Sequence, residues 1–130
     1  MNRAALVVIA VLSLCVSTTM AQESAVTPVF QVDLNDIPGR EGLMVVVDFP
    51  PGSTGTKHRH NAHTFVYVLE GSVVMQVEGG ERMVLQAGQS FYETPDDIHT
   101  VGMNASTTEP AKILVFFVKQ QGAPVTVPVP

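Results

Sequence analysis

The amino-acid sequence predicts an all-β protein, and three observations carry that prediction. Apolar runs of five to seven residues, rich in Val, Phe, Leu, Met and Tyr, recur along the chain. Each is bounded by glycine, proline or other turn residues, as in "IPGREG", "FPPGSTGTKH" and "TPDD". No window holds the apolar period of an amphipathic helix long enough to outweigh these runs. Repeated short strands close into a sandwich or a barrel, here as one domain of a 130-residue chain.

Taken in order, the first segment stands apart. "MNRAALVVIAVLSLCVSTTMA" has a short head with Arg3, an apolar core from Ala4 to Val16, and a small-residue exit in which Thr19 and Ala21 flank Met20. That layout predicts a secretory signal peptide over 1–21, cut after Ala21, and a periplasmic or secreted mature protein. The apolar core is shorter than the roughly 20 residues of a membrane span, which argues against a retained anchor. Lipidation at Cys15 would want a small residue where Leu14 stands. Cys15 is the only cysteine, so the mature protein would have no disulfide, thiolate ligand or cysteine nucleophile.

An N-terminal arm is expected over 22–41, a barrel over 42–118 and a Pro/Val-rich C-terminal arm over 119–130. Within the barrel the strands read as 43–49 (LMVVVDF), 64–70 (TFVYVLE), 72–78 (SVVMQVE), 82–86 (RMVLQ) and 112–118 (KILVFFV). Glu70-Gly71 and Gly79-Gly80 each read as a hairpin joint. The tail "GAPVTVPVP" alternates Pro and Val and must be an edge strand or an extended arm, because proline cannot donate to a ladder.

Along 64–69, Thr64, Val66 and Val68 point one way and Phe65, Tyr67 and Leu69 the other. A strand apolar on both faces needs a second cover, from the terminal arms or from another copy of the chain, and a homodimer is expected. The chain has 7 basic and 12 acidic residues, a net charge of −5, and no run of Lys and Arg. Nucleic acid and anionic membrane surfaces are therefore excluded as partners; a small-molecule ligand or substrate is expected instead.

Three of the four histidines fall within six residues, in "HRHNAH" at 58–63. His58 and His60, two apart, share one face of a strand, with bases about 6.5–7 Å apart at ~3.3 Å per residue. Two such imidazoles can converge on one ion. His99, in "SFYETPDDIHTVGMN", is the remaining imidazole. Glu93 lies six residues before it, among Phe91, Tyr92 and Pro95, where a buried carboxylate is costly without a partner. A divalent cation would be such a partner. His58, His60, Glu93 and His99 form a candidate set of three nitrogens and one oxygen, suited to Fe, Mn, Ni, Cu or Zn. Met44, Met75, Met83 and Met103 read as gap-fillers in the core rather than as copper ligands. No nucleophile elbow and no phosphate-cradling glycine loop is present in the sequence.

These residues make the chain resemble the cupins, a family of small β-barrels. That family's first motif runs G-x5-H-x-H-x3-4-E-x6-G, and Gly52, His58, His60 and Gly71 fit it in register. Its second runs G-x5-P-x-G-x2-H-x3-N, approximated by Gly88, Pro95, His99 and Asn104. The resemblance covers roughly Gly42 to Val118 and implies a double-stranded β-helix, or jelly-roll, barrel. Two positions depart from the pattern: Thr64 stands where the first motif has its metal-binding glutamate, and Asp97 where the second has glycine. Glu93 is the candidate to supply the missing carboxylate from a neighbouring strand. His63 and Tyr92 are the candidates for proton transfer, His63 only if the chain bends at Asn61–Ala62. Two functions stay open on this reading: a metal-dependent enzyme, dioxygenase- or isomerase-like, acting on an oxygen-rich small molecule, or a non-catalytic module that captures a small solute or sugar.

Overall fold

A computed structural model describes residues 22–130, so the expected signal segment lies outside the described residues. Ten strands are present: β1 (Ala25–Asp33), β2 (Arg40–Phe49), β3 (His58–Arg59), β4 (His63–Glu70), β5 (Ser72–Val77), β6 (Met83–Gln86), β7 (Ser90–Glu93), β8 (His99–Asn104), β9 (Ala111–Gln120) and β10 (Val127–Pro128). They form two five-stranded sheets, β1-β2-β9-β4-β7 and β10-β3-β8-β5-β6. Every ladder is antiparallel. The two inner faces enclose the core, giving the expected all-β double-stranded β-helix.

The period-2 pattern explains what is inside. On β9, Ala111, Ile113, Val115, Phe117 and Lys119 are buried, and the residues between them are only half-buried. Antiparallel register carries that parity across the sheet, because paired residues share a face. Val45 pairs with Val115, which pairs with Val66, which pairs with Phe91. The next row toward the barrel mouth is Leu43, Phe117, Thr64 and Glu93. Glu93 is thus the direct cross-strand partner of Thr64, the residue that stands at the motif's glutamate position.

The Gly79-Gly80 joint is a hairpin, with Met75 paired to Met83 across it. The Glu70-Gly71 joint is not: β4 pairs with β7 and β9 in one sheet, whereas β5 pairs with β6 and β8 in the other. The chain crosses between sheets there. Gly71 makes the corner possible, with φ of 68° and a position where a Cβ would collide with the Pro110 carbonyl. The segment before the barrel forms β1, a nine-residue strand at the sheet edge, and the C-terminal tail supplies β10 at the edge of the other sheet. Because β1 extends its sheet sideways, the outer face keeps Phe65, Tyr67, Leu69 and Tyr92 exposed. Of the methionines, Met75 is buried in the core, but Met83 is exposed and fills no gap there.

Candidate metal centre

His58 on β3 pairs directly with His99 on β8, which brings residues 41 apart in the chain onto adjacent strands. His60 follows one residue after β3, just before Asn61 takes a left-handed turn with φ of 49°. The ring centroids of His58 lie 4.7 Å from His60 and 5.0 Å from His99. The ligand atoms of all three imidazoles fall within 4.8 Å of one another.

Backbone carbonyls set which nitrogen of each ring is free. His58 Nδ1–H donates to Thr56 O at 2.7 Å, and His60 Nδ1–H donates to Val125 O at 2.7 Å. A carbonyl can only accept, so in the neutral ring the lone pair is left on Nε2. Those two Nε2 atoms face each other at 3.2 Å. His99 is set the other way round: its Nε2–H donates to Val101 O at 2.6 Å, which leaves the lone pair on Nδ1. Burial pushes His60 below its ordinary value of 6.5; the Val125 carbonyl and the Glu93 charge oppose the shift, and His58 and His99 add to it. His60 is therefore neutral at pH 7, the form a metal needs.

Glu93 completes the arrangement. Its Oε1 lies 2.9 Å from His99 Nδ1, and the residue is only 2% exposed. Closeness here is not a hydrogen bond: both Glu93 oxygens and His99 Nδ1 are buried without a hydrogen-bond partner. Buried polar atoms in this condition are rare and costly. Imidazole nitrogens and a carboxylate gathered this closely are what a cation would join. Three imidazoles and one carboxylate fit a divalent first-row ion. Glu93 lies outside the compact three-imidazole group and meets it through His99.

The structure does not bring His63 and Tyr92 to this cluster. Both side chains stand on the outer face of the sheet, where His63 Nδ1 and the Tyr92 hydroxyl are 2.7 Å apart in solvent. The chain does bend at Asn61, but Thr64 rather than His63 turns inward after it. Strand parity thus puts both candidates for proton transfer on the face of the sheet opposite the imidazole cluster.

Other residues that shape the site are less visible in the sequence. Gly102 lies against the His99 ring: a Cβ there would stand 2.8 Å from Nε2. A glycine in the interior of a strand is the signal that could have shown it. Val125 has no such signal, because its contribution is a main-chain carbonyl delivered by the C-terminal arm. Asn104 of the second motif is buried and ties loops together, donating to the carbonyls of Phe49 and Glu109 at 3.0 and 2.8 Å. Below the imidazoles the barrel opens into a cavity of about 220 Å³ that reaches to Met75, Val115 and Phe49.

Comparison with known proteins agrees with this architecture. The model of the cupin domain matches residues 45–117. The pectin degradation protein KdgF of Dickeya dadantii (strain 3937) is 35% identical over 60 residues, 45% of this chain and 54% of that protein. The chain thus spans about half the length of that relative. Among solved structures, TT1209 of Thermus thermophilus superposes with a TM-score of 0.60 at 28% identity, over 75% of this chain and 84% of that one. Oxalate oxidase in complex with the substrate analogue glycolate superposes with a TM-score of 0.61 at 28% identity, over 85% of this chain and 56% of that one. With its two facing sheets, its imidazoles at the barrel mouth and a family model that matches more than half of its length, the chain belongs to the cupin family.

Proposed function

We propose that this protein is an exported cupin that holds a divalent metal ion with His58, His60, His99 and Glu93 and acts on an oxygen-bearing small molecule seated beside it. One observation carries the reading: the ligand atoms of His58, His60 and His99 lie within 4.8 Å of one another, and beside them the Glu93 oxygens and His99 Nδ1 are buried without a hydrogen-bond partner. A bound ion would polarise a substrate oxygen or activate dioxygen or water. The chain's own contribution is orientation. The carbonyls of Thr56, Val125 and Val101 hold the three rings in the tautomers that leave one nitrogen each for the ion. The glycolate complex of oxalate oxidase supports an oxygen-bearing ligand by likeness.

A non-catalytic binding module is the second reading, and one observation favours it. Apart from the four candidate ligands, no titratable side chain lines the cavity among the described residues. An enzyme at this site would have to pass protons through Glu93, water or the substrate itself.

Metal analysis tests the reading. The purified protein should carry one equivalent of metal, and His58→Ala and His99→Ala should each lose it. A wild-type protein that stays metal-free after exposure to Fe, Mn, Ni, Cu and Zn would refute it. Turnover of a panel of oxygen-bearing small molecules by the loaded protein then separates enzyme from binder. Export and a homodimer joined through the exposed Phe65, Tyr67, Leu69 and Tyr92 face complete the proposal. An intact mass starting at Gln22 would support the first, and a doubled mass by light scattering the second; retention of residue 1 or a monomer would refute each in turn.

A further inference from the structure

We infer that the molecule this barrel accepts is small and uncharged away from the ion, with an apolar carbon body and a single oxygen-bearing head; the inference rests on the metal reading above. The cavity has about 220 Å³. That is below the ~300–1,000 Å³ usual for drug-sized ligands. The histidines occupy one part of its wall. Beyond them the wall is made by Val45, Val66, Met75, Ile113, Val115 and Phe117, the inward-facing residues of four strands.

Polar partners are few. Hydroxyls come from Ser24 and Thr126 on the two arms and Thr56 on the loop before β3. The Thr64 hydroxyl already donates to Ala62 O at 3.4 Å. No Lys or Arg lines the cavity among the described residues, and its one carboxylate is Glu93. Lys119, a cation buried inside the barrel, is already engaged by Glu41 and by the Ala123 carbonyl at 2.6 Å. A second carboxylate on the ligand would therefore be buried with no cation, and the hydroxyls of a sugar would be buried with few partners. A carbon chain meets no such cost and gains by leaving water, roughly threefold to fourfold in affinity per methylene. The ligand class that follows differs from a sugar acid or a dicarboxylate.

The test uses hydroxamates, which present one constant metal-binding head, on the full-length mature protein loaded with redox-silent zinc. Calorimetry should show Kd falling about threefold per carbon from acetohydroxamate to butanohydroxamate. Succinic monohydroxamate, of equal length but ending in a carboxylate, and gluconohydroxamate should each bind at least 10-fold more weakly than butanohydroxamate. In Val115→Leu, which fills the wall, butanohydroxamate should lose its advantage over acetohydroxamate. A flat alkyl series, or a charged or hydroxylated tail that binds as tightly as the alkyl one, on protein carrying stoichiometric zinc would overturn this inference alone. Failure to take up zinc would overturn the metal reading and this inference with it.

Discussion

Glu41 and Glu93 are both carboxylates at inward-facing strand positions, 3% and 2% exposed, yet the chain surrounds them differently. Glu41 on β2 is paired across the ladder with Lys119 on β9, and the two side chains form an ion pair. Gln31 donates to its other oxygen at 2.9 Å, and the Lys119 ammonium also donates to the Ala123 carbonyl at 2.6 Å. Glu93 has an imidazole at 2.9 Å, with no hydrogen bond between them and none from any other group. A buried charge satisfied from within the chain is part of the framework. One without a hydrogen-bond partner, beside three imidazoles, is where we propose that the chain takes an ion it does not itself supply.

Breaking the closed pair should have the largest effect. Lys119→Met leaves Glu41 buried and uncompensated and should cost about 3 kcal/mol at pH 7 in urea unfolding. The Lys119 ammonium holds the Glu41 carboxyl below its ordinary value of 4.5 against the opposing effect of burial, and Gln31 assists. A carboxyl lowered on folding contributes stability that is present above its unfolded value and lost as the pH falls through its folded one. In the variant burial raises the Glu41 carboxyl above 4.5, so the gap between wild type and Lys119→Met should be largest near neutral pH and begin to shrink above pH 4.5 as the pH falls. A gap that does not change with pH would remove the ion pair from the explanation.

At the open carboxylate the sign should depend on metal. Glu93→Gln removes a buried carboxylate that has no hydrogen-bond partner, so the metal-free protein should melt no lower than wild type, and higher if the amide finds a hydrogen bond. The same change should weaken zinc binding by about 10- to 100-fold, read by competition with a chromogenic chelator. If Glu93→Gln destabilises the metal-free protein as Lys119→Met does, Glu93 belongs with the framework and the contrast between the two carboxylates fails.

The smallest effects are expected on the outer face. His63→Ala and Tyr92→Phe alter a solvent-exposed pair and should leave zinc stoichiometry unchanged, with stability within about 0.5 kcal/mol of wild type. Metal loss in His63→Ala would mean that this imidazole reaches the ion in solution.

Much of this contrast could be read before any coordinates. The alternation in "KILVFFV" and "TFVYVL" names the inward residues of β9 and β4 because side-chain direction follows from the pleat alone. The cost of burying a carboxylate singles out Glu93 by the same local reasoning. The Glu70-Gly71 corner misleads because a glycine turn reverses a chain equally well into a hairpin or across to another sheet. The choice belongs to the partners that β4 and β5 find elsewhere. His63 misleads because it is close to His60 in sequence, while strand parity sends it to the opposite face. The pair Glu41–Lys119 escapes notice because its two members are 78 residues apart and join only through β2–β9 register.

By itself the sequence determined an all-β chain, the inward and outward residues of its main strands and the short histidine spacing, because each depends on backbone geometry within a few residues. The tertiary structure decided that β3 and β8 lie side by side and so bring His58 to His99. It also decided that Glu93 stands across from Thr64 and that the Val125 carbonyl reaches His60 from the far end of the chain. Those are contacts between distant segments, and only the closing of the two sheets on one another brings such segments together.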